Sequence, residues 1–123
     1  MNNEKGFDYM AKQTNNVFRI EMIILKIISA KECYGYQISQ LIKTLTEEHM
    51  NLAEGTLYPI LYKLIDQGYI EDHKKLVGKR KTRVYYTITD SGKAYLDSIY
   101  DEYTIMCSYV NQIMNWNGEI ENE

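Results

Sequence analysis

The residues best equipped for chemistry in this 123-residue chain are cations. Lys74, Lys75, Lys79, Arg80, Lys81 and Arg83 fall within ten residues that contain no acid, around a Val77-Gly78-Lys79 turn. Mobile ammonium and guanidinium groups beside a glycine turn suit phosphate oxygens, which they meet without reading a base. A solvated hairpin surface is the plain alternative. The formal net charge is -3, but its distribution matters more than its sum. After Lys93 there is no Lys or Arg, and Asp97, Asp101, Glu102, Glu119, Glu121 and Glu123 are the only charges. A polyanion is therefore drawn to one part of the molecule and repelled by another.

A second group of donors lies in the segment 51–67. There Thr56, Tyr58 and Lys63 offer hydroxyl and ammonium groups to phosphates or base edges near a helix start, where the helix dipole also favours anions. Packing of Tyr58 and Tyr62 against a neighbouring element is the alternative, since exposed aromatic residues usually have a partner. Material for catalysis is lacking. There is no Gly-rich phosphate loop, no metal constellation and no Ser, His and Asp arrangement beyond chance. Cys33 and Cys107 stand far apart without a Cys-x-x-Cys pair, and His49 and His73 are the only histidines, so no zinc spacing arises. Both thiols read as packed, with a redox link between them left open. The expectation is a protein with no cofactor and no enzymatic activity.

The elements that must position these groups follow from periodicity. Hydrophobic residues at 45% and charged residues at 25% describe one folded domain rather than a disordered or membrane chain. The longest apolar run, from Met22 to Ile28, is broken by Lys26, and Met1-Asn2-Asn3-Glu4 does not read as a signal peptide. The expected location is the cytoplasm. After a loose start over residues 1–8, a helix is expected from Tyr9 to Ala30, with one stripe of Val17, Ile20, Ile24, Ile27 and Ile28 and another of Phe18, Met22 and Leu25. A helix apolar on two faces needs cover on both, so the second stripe is assigned to a partner chain.

Tyr34-Gly35 opens a second helix with Ile38, Leu41, Ile42 and Leu45 on one face. A third, from Asn51 to Gln67, buries Leu57, Ile60, Leu61, Leu64 and Ile65 and stops at Gly68. Strands Tyr69 to Leu76 and Thr82 to Ile88 flank the glycine turn as a two-stranded wing. Thr89 or Asp90 then caps a last helix running to about Trp116. On it Leu96, Ile99, Tyr103, Met106, Val110 and Ile113 alternate spacings of three and four, a heptad seam for a second copy of the chain. Packing of that helix on its own domain is the alternative.

Helix, helix, helix, hairpin is the order of a winged helix-turn-helix, whose third helix fits the major groove. The fold class is therefore mainly α with a small β-hairpin: a winged helix-turn-helix over 1–88, including the helix 9–30, and a dimerisation helix over 89–118. Three separated motifs carry a resemblance as well: Tyr34-Gly35-Tyr36-Gln37-Ile38, then Gly55-Thr56-Leu57-Tyr58-Pro59-x-Leu61-x-x-Leu64-x-x-x-Gly68-x-Ile70, then Arg83-Val84-Tyr85-Tyr86-Thr87-Ile88-Thr89-x-x-Gly92. From about Val17 to Gly92 the chain resembles the PadR family of bacterial transcriptional regulators. Its single terminal helix resembles the compact subfamily.

The resemblance implies a homodimer on an inverted-repeat operator, usually a repressor, released by a small molecule or stress signal. It also implies that Tyr36 and Gln37 start the helix that touches the backbone, that Thr56 and Tyr58 enter the groove, and that Arg83 and its neighbours form the wing. In compact relatives the dimer interface can hold flat aromatic ligands; an aromatic stripe packed as core is the more common case, and Tyr103 and Met106, at the middle of the seam, are the candidate lining of an effector pocket if one is present. One departure is that Ala53 stands where the family commonly has a Ser or Asn helix cap, leaving Asn51 as a substitute. A winged helix that binds an acidic protein partner as an adaptor, without sequence-specific DNA binding, is the competing function.

Overall fold

Apolar side chains at helical spacing build the first element. A computed structural model describes residues 17–120. In it, α1 spans Ile20–Ala30 and buries Met22, Ile24, Leu25, Ile27 and Ile28. Residues of both expected stripes thus point inward, whereas Phe18, ahead of the helix, is exposed. Met22 and Leu25 are corrected from a dimer seam to the core, because Leu25 is 0% exposed and has no surface to offer a second chain. Residues 17–19 are irregular rather than helical, and the expected turns over 9–16 lie outside the described residues.

Cys33–Tyr34 form a short strand, β1, and Gly35–Leu45 the helix α2, which buries Ile38, Ser39 and Ile42. Leu45, expected on the same face, is exposed at the helix end. The following turn is built by one hydroxyl. Thr46 Oγ1 donates to the Ile42 carbonyl at 2.8 Å and accepts from the Met50 N–H at 2.9 Å. Between them Glu47 and Glu48 take left-handed φ values of 53° and 68°. That conformation costs roughly 1–2 kcal/mol per residue, offset in part by the Glu48 N–H bond to the Lys43 carbonyl at 2.8 Å. Ser39 Oγ then donates to the Leu52 carbonyl at 2.8 Å, a buried bond that fastens α2 to the chain entering the next helix.

That helix, α3 (Glu54–Asp66), buries Leu57, Leu61 and Leu64 at spacings of four and three. Ala53 holds the N-cap position with no side-chain hydrogen bond, so Asn51 does not substitute for the missing cap. The Thr56 and Leu57 N–H groups both donate to the Ala53 carbonyl at 3.0 Å instead. Pro59 lies inside the helix and deletes the backbone bond to the carbonyl of Gly55, an exposed residue. At the other end Gly68 donates to Ile65 at 2.9 Å and Tyr69 to Leu64 at 3.0 Å, the paired bonds of a Schellman stop.

Strands β2 (Ile70–Val77) and β3 (Lys81–Ile88) pair antiparallel from Ile70↔Ile88 to Val77↔Lys81, leaving Gly78-Lys79-Arg80 as the tip. The expected two-stranded wing is extended by β1, which pairs with the far edge of β3 through Cys33↔Tyr86 and Tyr34↔Tyr85. The sheet order is β1-β3-β2. Thr89 Oγ1 accepts the Gly92 N–H at 3.0 Å and so caps α4 (Asp90–Met114), while donating to the Gly68 carbonyl at 2.7 Å.

The chain divides into two compact units, one of Ile20–Asp97 and one holding Arg19 and Ser98 onward. In the first, α1 packs on β3 and α2, and α3 packs on α2 and β2. Ile24, Leu25, Ile38, Ile42, Leu57, Leu61, Leu64 and Ile70 are among its fully buried side chains, each contributing about 1.5–3 kcal/mol by burial. In the second, Phe18 meets Tyr103 edge-on at 6.1 Å between ring centroids, and Arg19 pairs with Glu102 at 3.7 Å.

Candidate nucleic-acid interface

The buried leucines of α3 turn its opposite side outward, and Thr56, Tyr62 and Lys63 are exposed there. Tyr58 is different. It is half-buried, with its ring and hydroxyl laid over Gly35 at the start of α2, where an added Cβ would collide with the phenol. Gly35 is thus needed for close approach, and Tyr58 spends part of its surface on packing between the two helices. Burial raises its pKa. Tyr62 leans on Tyr58 at 6.3 Å between centroids. At the start of α2, Tyr36 is exposed and Gln37 half-buried.

Between α2, α3 and the wing lies a cavity of about 460 Å³, lined in part by Tyr34, Tyr36, Tyr58, Tyr62, Asp72 and Arg83. Tyr86 forms its floor and is 3% exposed. Burial pushes the Tyr86 hydroxyl up to about 12 from the ordinary 10.0. Between pH 10 and 12 the unfolded chain ionises this group while the folded chain keeps it protonated, so stability is lost as pH rises through that window. Denaturant midpoints followed from pH 9 to 12 are expected to fall, and less steeply in Tyr86→Phe. Parallel curves for the two proteins would show that Tyr86 is not the group responsible.

The six cations separate into two kinds. Lys79, Arg80 and Lys81 surround the tip and Lys74 lies on β2, all exposed. Lys75 instead pairs with Glu32 at 2.5 Å, and its ammonium sits 4.8 Å above the Tyr85 ring. Arg83 stacks its guanidinium 4.4 Å above the Tyr34 ring, two residue pairs in from the tip of the wing. Hydrogen bonds from Lys75 and then His73 hold the Glu32 carboxyl below its ordinary range. Glu32, Tyr34, His73 and Asp72 were not singled out as site residues by the sequence. Their partners are distant in the chain, and only the same-face spacing of His73 and Lys75 on one strand hinted at a shared contact.

The residues assigned to dimerisation and to an effector scatter in exposure. Ile99 is already buried within the chain, which removes it from the list of free seam residues. Leu96, Tyr103 and Met106 are half-buried, and Phe18, Val110 and Ile113 are exposed. Tyr100, Ile105, Tyr109, Met114 and Trp116 add to the exposed apolar surface of this stretch. Cys33 and Cys107 are both free thiols, and burial pushes the Cys33 thiol up.

Comparison with known proteins places this geometry in a wider set. The profile of the transcriptional regulator PadR-like family matches residues 24–98. The negative transcriptional regulator PadR of Bacillus subtilis (strain 168) is 31% identical over 77 residues, which cover 63% of this chain and 42% of that protein. A PadR-like transcriptional regulator from Bacillus cereus superimposes with a TM-score of 0.69 at 30% identity, over 80% of this chain and 93% of that one. Bacillus subtilis PadR, solved in complex with operator DNA, aligns at a TM-score of 0.58 and 24% identity, over 85% of this chain and 50% of that one, a likeness of fold.

Proposed function

Because the chain belongs to the PadR-like family of transcriptional regulators, we propose that it acts by binding double-stranded DNA sequence-specifically, as a homodimer on an inverted-repeat operator. The observation that carries this reading is the exposed wing tip, Gly78-Lys79-Arg80 followed by Lys81, on the same winged-helix unit as the outward side of α3. Cations at the tip meet phosphates on either side of a groove, and Thr56, Tyr62 and Lys63 meet base edges or backbone within it. Tyr36, at the start of α2, touches the backbone.

The second copy is supported by the exposed apolar surface at Val110 and Ile113, continuous in the heptad with Tyr103 and Met106. Repression is supported by the name of the Bacillus subtilis relative, a negative transcriptional regulator. In the same reading a small aromatic effector docks against Tyr103 and Met106 and releases the DNA. The protein works where its operator is, in the cytoplasm. No helix among the described residues is long and apolar enough to cross a membrane.

Selection of bound duplexes from a random pool at moderate salt, with the oligomeric state recorded on the same sample, tests the proposal. An enriched inverted repeat bound by a dimer is expected. No enrichment from a folded dimer would overturn it in favour of an adaptor that binds an acidic protein.

A further inference from the structure

We infer that Glu32 holds Lys75 off the DNA backbone, and by doing so lowers the affinity of the wing for DNA of any sequence. The inference rests on the DNA-binding reading above and adds a residue that sets how much of the wing's charge DNA can use.

Glu32 lies in the link between α1 and β1, and its carboxylate reaches β2. A single oxygen, Oε1, accepts from His73 Nε2 at 2.7 Å and from Lys75 Nζ at 2.5 Å. His73 and Lys75 are two apart on one strand and therefore share a face, opposite Tyr85 and Arg83 respectively. His73 stacks on the Tyr85 ring at 6.3 Å, and the Lys75 ammonium lies above that same ring. Lys75 is thus fixed from two directions, by an anionic oxygen and by an aromatic face.

A carboxylate oxygen gives an ammonium what a phosphate oxygen would, a short charge-assisted hydrogen bond. Phosphate gains from Lys75 only by displacing Glu32, and the freed carboxylate would then repel the incoming polyanion. The side chains of Lys75 and Glu32 are 48% and 32% exposed, so the pair is reached by solvent and is open to such competition. Lys74, Lys79, Arg80 and Lys81 have no such acid against them among the described residues and remain available to phosphate.

The test is the salt dependence of binding to a random-sequence duplex. Glu32→Gln is expected to steepen the slope of log affinity against log salt by about 0.9 per protomer, one released phosphate contact. Between about 50 and 200 mM salt, the affinity of the variant should then fall about 3.5-fold further per protomer than that of the native chain. Adding Lys75→Ala to that variant is expected to remove the gain. An unchanged slope in Glu32→Gln, or a gain that survives loss of Lys75, overturns the inference.

Should Glu32→Gln loosen the wing, Lys75→Gln in the otherwise native chain decides the matter. The native slope is expected there, whereas a slope shallower by about 0.9 per protomer would show Lys75 already on phosphate. A native protein without salt-dependent affinity for any duplex would sink the DNA-binding reading, and this inference with it.

Discussion

Gly92→Ala is expected to destabilise the winged-helix unit by at least about 3 kcal/mol, beyond the range of ordinary surface changes. A Cβ at this position would be driven into the carbonyl oxygen of Tyr69 and would also crowd the Ile88 side chain. The carbonyl has little freedom to retreat. It accepts the Thr89 N–H at 3.0 Å, and the Thr89 hydroxyl beside it is itself held, donating to the Gly68 carbonyl at 2.7 Å and capping α4 through the Gly92 N–H. Moving Tyr69 therefore costs the end of α3, the start of β2 and the cap of α4 together, each cap alone being worth about 1 kcal/mol. The measurement is the denaturant midpoint, with Gly55→Ala as the control. An added Cβ at Gly55 meets nothing within 4 Å, and that change should lie within about 1 kcal/mol of native, on the stabilising side. A Gly92→Ala midpoint indistinguishable from native would mean that the junction is not the close approach described.

What was legible in the sequence and what was not divides along the range of the interaction. Leu57, Leu61 and Leu64 announce α3 because one helix carries the whole pattern, and Gly68 and Thr89 announce its stop and the next start because caps are local. The strands Ile70–Val77 and Lys81–Ile88 end within a residue or so of expectation for the same reason. By contrast β1 has two residues and no periodicity, and only its pairing with β3 defines it. Met22 and Leu25 were assigned to a face covered by a partner chain because a sequence does not say how many neighbours surround a helix, and both lie in the core of their own chain. For Tyr58 the sequence left groove entry and packing both open, and its phenol lies over Gly35, a contact between helices that no local pattern announces. The pairing of Glu32 with His73 spans 41 residues, beyond any local signal. The six cations were counted correctly, but their division into engaged and available groups is a tertiary fact.

That division sets the largest functional effect expected of any change in the chain. Replacing Lys79, Arg80 and Lys81 together with alanine should make the salt slope of DNA binding shallower by about 2.7 per protomer, three contacts at about 0.9 each. All three are exposed at or beside the turn, so the cost to folding should stay within about 0.5 kcal/mol. The two readouts together are diagnostic, since a damaged fold would lower stability and binding at once, whereas loss of phosphate contacts lowers binding alone. Phosphate contacts carry no sequence information, so the ratio of specific to random-duplex affinity should survive while both affinities fall. Discrimination must then reside in α3, where Thr56, Tyr62 and Lys63 remain outward. If the triple variant kept the native slope, the wing tip would not be on the backbone, and the placement of α3 in the groove, which depends on the same docking, would have to be abandoned with it.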